Sequence, residues 1–442
     1  MANWYKIITG IAHDIEGRYD ALKQKLGERL GGDDPLMILP YRSYGTPRKL
    51  FVKGRVLENE GIRPPEDNDT VANLLTMYKR FASDEIPGAR VLVRFRQQEQ
   101  EVVANEEGFF ELWLEPEQPL PAGQEWHSVT LELLQPQREG RGPVTATAEV
   151  VVPPPTARFG IISDVDDTVL RTSAANLLMM ARTVFLANAR TRLPFKGVAA
   201  FYRALHQGAS QPAHNPLFYV SSSPWNLYDL LVDFFRLQNI PRGPILLRDW
   251  GLTEEELLPV KHRAYKLGAI RQVLDTYPYL PFILIGDSGQ EDPEIYRELV
   301  DLYPDRILAI FIRNVSHQDP KRVAAIEALV EKVKAAGSTL ILAKTTVPMA
   351  DYAAQKGWIS QDALPEIRAE KEADEASPGP IEKMLHEEAA EPGEIVVAPG
   401  DRSPEAAVAA GQVVETALET AEAQDEQPPT IVVEGDEERT LE

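Results

Sequence analysis

The chain has 442 residues, 43% of them hydrophobic, no cysteine and a formal net charge of −22. That length and composition suit a globular protein with at least two cores. The missing cysteines exclude disulfides, thiolate metal sites and a cysteine nucleophile, and they suit a reducing compartment. The net acidity argues against non-specific nucleic-acid binding. The charge is uneven. Residues 366–442 carry about 22 acids against about 5 bases, so the rest of the chain is only mildly acidic.

In chain order, Trp4, Ile7, Ile8, Ile11, Ile15, Tyr19, Leu22 and Leu26 recur at three- and four-residue steps and predict an amphipathic helix within residues 1–32. Its polar face mixes acids with bases, so docking on the protein's own body is expected rather than on a membrane. The start lacks a basic-then-apolar leader, and no apolar run is long enough to span a bilayer. A cytoplasmic protein is expected, with peripheral membrane contact left open.

Residues 36–152 read as a β-sandwich-like domain. Alternating or β-branched runs such as LFVKGRVL, ARVLVRFR, GFFELWLEP and VTATAEVVV are separated by turn formers. A helical turn or two is expected within Leu74–Phe81. His127 is isolated and reads as an ordinary surface or packing residue. Pro153-Pro154-Pro155 marks a stiff boundary.

Residues 156–360 alternate strands with helices, which predicts an α/β domain with a doubly wound, mainly parallel sheet. Strands are expected at Gly160–Ser163, Leu217–Val220, Ile245–Leu247, Phe282–Ile285, Ile307–Ile312 and Thr339–Leu342. Helices are expected at Ala174–Asn188, Gly197–Gln207, Trp225–Gln238, Tyr265–Asp275, Pro293–Leu302 and Arg322–Ala336. The segment 366–442, rich in Glu, Ala and Pro, reads as a disordered acidic tail; its solvating role competes with binding an unknown protein.

Ligands on such sheets bind beyond the carboxyl ends of the strands. The first of those ends, FGIISDVDDTVL, places Asp164, Asp166 and Asp167 together, with Thr168 closing the cluster. Carboxylates so close repel one another, and a divalent cation with hard oxygen ligands is the common remedy. The second end, FYVSSSPWN, runs into Ser221, Ser222 and Ser223. With Pro224 read as opening a helix, hydroxyls and unpaired N–H groups there would make an anion site. Lys266 is expected in the first turn of the next helix, where a cation is disfavoured unless an anion faces it. A fourth end, FILIGDSGQEDPEIY, brings Asp287, Glu291 and Asp292. Asp164, Asp166 and Asp287 then suggest an oxygen cage for one magnesium.

The order Asp164-x-Asp166-x-Thr168, then Ser221, then Lys266, then Gly286-Asp287 with Asp292 resembles the haloacid dehalogenase-like superfamily of aspartate-nucleophile phosphatases. More narrowly, SDVDDTV, YVSSSPWN and LIGDSGQEDPEIY resemble the catalytic domain of the actin-patch phosphatidate phosphatase family, over about residues 150–355. The resemblance implies a Rossmann-like sheet with a minimal cap and a Mg2+ cofactor. Asp164 is implied as nucleophile and Asp166 as acid and then base. Thr168, Ser221, Ser222 and Lys266 would hold the phosphoryl oxygens. Asp164, Asp166 (through its carbonyl) and Asp287 would hold the metal, with Asp292 in support. Lys261 competes with Lys266, which is preferred because Lys261 falls outside the expected helix. Arg313 is a further phosphate contact or a structural arginine.

Few residues separate the first two strand ends, so no large cap fits there, and an open site suits a bulky or membrane-held substrate. Residues 174–187 are apolar on nearly every face and read equally as a lipid-contacting or a core helix. The expected function is hydrolysis of phosphatidate to diacylglycerol and phosphate through an aspartyl-phosphate. The competing readings are a phosphatase of a soluble ester and an idle scaffold that binds a membrane or partner.

Overall fold

The computed structural model describes residues 35–58, 85–138, 140–165, 198–209, 212–225, 228–248 and 259–376. The expected N-terminal helix, the turns near residues 74–81, the apolar stretch 174–187, Asp166, Thr168 and the acidic tail beyond 376 lie outside these residues.

Eight strands come first: β1 (Leu36–Pro40), β2 (Ser43–Thr46), β3 (Lys49–Glu58), β4 (Arg90–Phe95), β5 (Gln98–Val103), β6 (Phe109–Leu114), β7 (Trp126–Gln135) and β8 (Thr145–Val151). Period-two alternation explains their packing. Val91, Val93 and Phe95 of β4 turn inward with Val129, Leu131 and Leu133 of β7. Arg90 and Arg94 carry the outer face and pair with Glu101, Glu99 and Glu132. All eight strands belong to one hydrogen-bonded sheet of order β1-β3-β2-β8-β7-β4-β5, with β6 on β3, and their inward residues share one core, as the sandwich-like expectation requires. The join is β2, which pairs antiparallel with β3 and parallel with β8, Tyr44 standing opposite Val151.

The second sheet has six strands: β9 (Gly160–Asp164), β10 (Leu217–Pro224), β11 (Ile245–Arg248), β12 (Phe282–Asp287), β13 (Ile307–Arg313) and β14 (Leu340–Ala343). Their order is β11-β10-β9-β12-β13-β14, and every pairing is parallel. The chain leaves β9 toward β10 and β11, then returns to build outward from the other side of β9 with β12. That reversal of direction is the switch point at which such sheets open a crevice.

Seven α-helices are described beside it: α1 (Val198–Gln207), α2 (Tyr228–Leu237), α3 (Pro259–Thr276), α4 (Asp292–Leu302), α5 (Pro320–Ala335), α6 (Val347–Gln355) and α7 (Leu364–Ala376). Alternate strand residues sort them onto two faces. Ile161, Ile283 and Phe311 pack with α1, α2, α6 and α7, while Ile162, Leu284 and Ile312 pack with α3, α4 and α5. The first sheet joins both cores, through Tyr41 and Phe109 on one side and Tyr44, Phe51 and Val151 on the other.

Helix α7 corrects the expected start of the tail at 366. Ile367 is fully buried, and Glu370 Oε1 accepts a hydrogen bond from the Ala200 N–H at 3.0 Å. Arg203 pairs with Glu366 at 2.8 Å and Glu370 at 2.7 Å. Acids that read as a solvated stretch instead satisfy a donor in the first turn of α1, which a helix cannot pair internally. Among the described residues no helix is long and apolar enough to cross a membrane.

Candidate active site

All five residues of β9 are buried, so its last residue, Asp164, reaches the crevice with its carboxylate already out of water. The neighbouring strand β12 ends in Asp287, and the register sets Ile285 opposite Ser163. The two aspartates therefore finish adjacent strands at the same edge. A short loop leads from Asp287 to Asp292, the first residue of α4. Asp164, Asp287 and Asp292 are each 0% exposed.

Lys266 reaches them from α3. Its Nζ lies 2.6 Å from Asp292 Oδ1 and 2.9 Å from Asp164 Oδ1, and it donates to Gln290 Oε1 at 3.3 Å. The contact to Asp164 is an ion pair without hydrogen-bond geometry. Burial, and then the charge of Asp292, push the Asp164 carboxyl up to about 6, with Lys266 pulling the other way.

The loop is held from several sides. Asp287 Oδ1 accepts from the Gly289 and Gln290 N–H groups at 2.5 and 3.3 Å, and Asp292 Oδ2 accepts from the Asp287 N–H at 3.3 Å. Gly286 makes room for this: a Cβ there would stand 2.9 Å from Asp292 Cγ and nearer still to Oδ2. Arg322 of α5 donates to the Ser288 carbonyl at 2.9 Å and the Gln290 carbonyl at 2.5 Å, and pairs with Glu294. Beneath Asp164, the Ser163 hydroxyl donates to the Asp164 carbonyl at 2.8 Å and stands 2.6 Å from the Tyr202 hydroxyl. Sequence reasoning missed Arg322 and Tyr202, because an arginine at a helix start and a tyrosine on an apolar helix face carry no signal of their own.

The structure brings Asp164, Lys266, Asp287 and Asp292 together. Ser221 and Ser222 are buried in β10 just past Val220, which pairs in register with Asp164. Two local expectations need correction. Strand β10 runs to Pro224, so the serines lie on a strand rather than at a helix start; a helical turn follows at once at Trp225, and α2 is described from Tyr228. Helix α3 begins at Pro259, so Lys266 sits two turns in, and Lys261 is helical too. The reason for Lys266 is its two buried carboxylates, not a place in the first turn. Arg313 ends β13 in register with Asp287. Glu291 lies apart from the buried acids and faces Arg263 at 3.9 Å with its side chain 56% exposed.

This donor set fits a metal ion. One carboxylate oxygen from each of Asp164, Asp287 and Asp292 lies within 4.8 Å of the others. With Lys266, the four groups leave two negative charges uncompensated, which a divalent cation with oxygen ligands would balance.

Residues 159–314 match the family model of the phosphatidate phosphatase APP1 catalytic domain. Phosphatidate phosphatase APP1 of Saccharomyces cerevisiae is 34% identical over 160 residues, 36% of this chain and 26% of that protein. An uncharacterized protein of Schizosaccharomyces pombe, C29B5.04c, is 32% identical over 257 residues, 54% of this chain and 40% of that protein. The chain thus spans well under half the length of these relatives. Among solved structures, a carbohydrate acetylesterase from Xanthomonas citri is 13% identical with a TM-score of 0.23, covering 60% of this chain and 66% of that one. The resemblance carried by the SDVDDTV, YVSSSPWN and LIGDSGQEDPEIY segments is thereby borne out: residues 159–314 of this chain are similar to the APP1 catalytic domain.

Proposed function

We propose that the chain is a magnesium-dependent phosphatase that hydrolyses phosphatidate, or a closely similar lipid phosphomonoester, to the lipid alcohol and phosphate, on a haloacid dehalogenase-like scaffold. The observation that carries this reading is the buried Asp164 at the crevice, with Lys266 at 2.9 Å and two further buried aspartates beside it.

In this reading Asp164 attacks phosphorus and forms an aspartyl-phosphate. The P–O bond to the lipid alkoxide breaks as Asp166, protonated at that stage, gives the leaving oxygen its proton. Asp166 then takes a proton from water, whose oxygen attacks the phosphoryl group and restores the Asp164 carboxylate. Lys266, Ser221, Ser222 and Thr168 hold the equatorial oxygens where charge gathers. Asp164, Asp287 and the carbonyl of Asp166 would hold magnesium, with Asp292 anchoring Lys266 and the Asp287 loop. Bound magnesium supplies positive charge that offsets the repulsion between the Asp164 carboxylate and the phosphate.

The test is phosphate release from phosphatidate in detergent micelles, with and without Mg2+, for the wild type beside Asp164→Asn and Asp166→Asn. Both variants should lose at least about a thousandfold of the rate. Retained turnover in both would remove Asp164 and Asp166 from the chemistry. Flat activity on micellar lipid beside strong activity on a water-soluble ester would move the substrate class. Binding to lipid vesicles with no turnover on any ester would favour a scaffold.

A further inference from the structure

Away from the crevice, a second group of metal-ligand side chains comes together from both sheets. Glu125 immediately precedes β7, His206 lies in the last turn of α1, and His214 lies in the segment leading into β10. One ligand atom from each of these three residues lies within 4.8 Å of the other two. The two imidazole rings stand 5.6 Å apart and nearly perpendicular.

The surroundings hold these side chains in place. Asn215, fully buried, donates its amide to the Leu205 carbonyl at 2.8 Å and accepts from the Arg158 N–H at 2.8 Å. Its backbone N–H donates to the His206 carbonyl at 2.9 Å, and its own carbonyl meets His206 Nδ1 at 2.9 Å. A carbonyl only accepts, so Nδ1 carries the proton and Nε2 keeps the lone pair. A backbone carbonyl on the far nitrogen of a ligating histidine is the usual outer support of such a ligand. His214 adopts φ 50°, a left-handed conformation uncommon for a residue with a Cβ. Its Nδ1 stands 3.2 Å from Glu125 Oε2. That contact is a hydrogen bond from the ring to the carboxylate; two ligands about 2.1 Å from one tetrahedral ion lie roughly 3.3–3.4 Å apart, so a metal that takes the place of the shared proton needs little movement of either side chain. Glu125 is anchored as well, since its carbonyl accepts from the Val152 N–H at 2.7 Å.

We propose that Glu125, His206 and His214 form a second metal site, for Zn2+ or a divalent cation of similar preference, that clasps the eight-stranded sheet to the parallel sheet. Two neutral imidazoles and one carboxylate are a borderline-soft set, unlike the all-oxygen set at Asp164, so the two sites select different ions. Three protein ligands leave a fourth position for water. The site shares no residue with the phosphatase chemistry, and its outcome is independent of that reading.

The test uses the full chain without an affinity tag, stripped of metal by a chelator and then titrated with Zn2+ against a chromophoric competitor in excess Mg2+. Wild type should hold one Zn2+. His206→Ala and His214→Ala should each weaken it by at least the roughly tenfold to hundredfold that losing an outer partner alone costs, and Glu125→Gln should weaken it less than either. Co2+ in place of Zn2+ should give visible ligand-field bands that the histidine variants lose. Zn2+ should raise the melting temperature of the wild type but not of His214→Ala. The ring of His214 is exposed, so this variant keeps the test valid even if His206→Ala, which also loses the Asn215 contact, fails to fold. Zn2+ held equally by the His206→Ala/His214→Ala double variant, or no Zn2+ held by the wild type, overturns the proposal.

Discussion

The two sheets handle charge in opposite ways. On the eight-stranded sheet, Arg94 and its partners Glu99 and Glu132 meet across strands on a face that water reaches, with the Arg94 side chain 38% exposed. On the parallel sheet, Lys266, Asp164, Asp287 and Asp292 are charged groups in a core. A buried ion needs partners or it destabilises the fold, whereas an exposed pair is nearly neutral in its effect. The same chain thus places its charges cheaply where they serve solubility and expensively at one edge. That asymmetry is the one expected where function overrides stability, in keeping with the role proposed for this edge.

The largest effect expected on stability tests the expensive side directly. Lys266→Met keeps the volume but leaves Asp164 and Asp292 buried with no ammonium between them. Urea unfolding should show a loss of about 3–5 kcal/mol. Asp164→Asn should move the other way. The Asp164 carboxyl is raised to about 6 by burial and by Asp292, above its ordinary value. Its ionisation therefore opposes folding: the penalty is absent below the unfolded-state value near 4, grows between there and 6, and is complete above. In metal-free protein at pH 7, Asp164→Asn should gain about 1–3 kcal/mol, and the gain should fade as the pH drops toward 4. A wild type no less stable than Asp164→Asn at pH 7 would mean that the site stores no such strain. Millimolar Mg2+ should raise the wild-type melting temperature and leave that of Asp164→Asn nearly unchanged.

How far the sequence revealed this contrast depends on the type of signal. Apolar runs that stop at Asp164 and Asp287 can be read directly, because a buried strand must be apolar throughout and a carboxylate can only sit at its end. Alternation of strands with helices made the parallel sheet legible, but the order β11-β10-β9-β12-β13-β14 came only with the structure. Helix boundaries were less legible. Pro259, a residue type suited to a first helical position, does mark the true start of α3, but the expected helix begins only at Tyr265; nothing local marked the extension of β10 through Ser221 and Ser222. Helix α7 was hidden because Glu366 and Glu370 look like solvated acids until the N-terminus of α1 is set beside them. His206, His214 and Glu125 were invisible as a group, since their spacing in the chain fits no motif and only packing between the sheets brings them together.

A smaller effect should come from Gly286→Ala. The added Cβ meets the Asp292 carboxylate, which holds both Lys266 and the Asp287 N–H. Overpacking of this kind costs about 1–3 kcal/mol. If the geometry of the Asp287 loop matters to turnover, the rate should fall by more than the stability loss alone explains, and a raised Mg2+ requirement would place the damage at the metal. Arg322→Ala, which loosens the same loop from outside, should raise the Mg2+ requirement in the same direction with less effect on folding.

The smallest effect belongs to the outer face of the first sheet. Arg94→Ala removes an arginine whose partners Glu99 and Glu132 remain solvated. The freed carboxylates regain water, and the lost attraction was already screened by salt. The unfolding midpoint should shift by no more than replicate scatter at physiological salt, with a slight loss emerging only at low ionic strength. Lys266→Met should show the reverse pattern, a large loss that salt barely changes, because no counterion reaches a pocket where Asp164 and Asp292 are fully buried. Running the two variants side by side across a salt series separates desolvated charge from surface charge. Equal losses with equal salt dependence would mean that the crevice is wetter than its geometry implies, and that Asp164 meets its substrate as an ordinary solvated carboxylate.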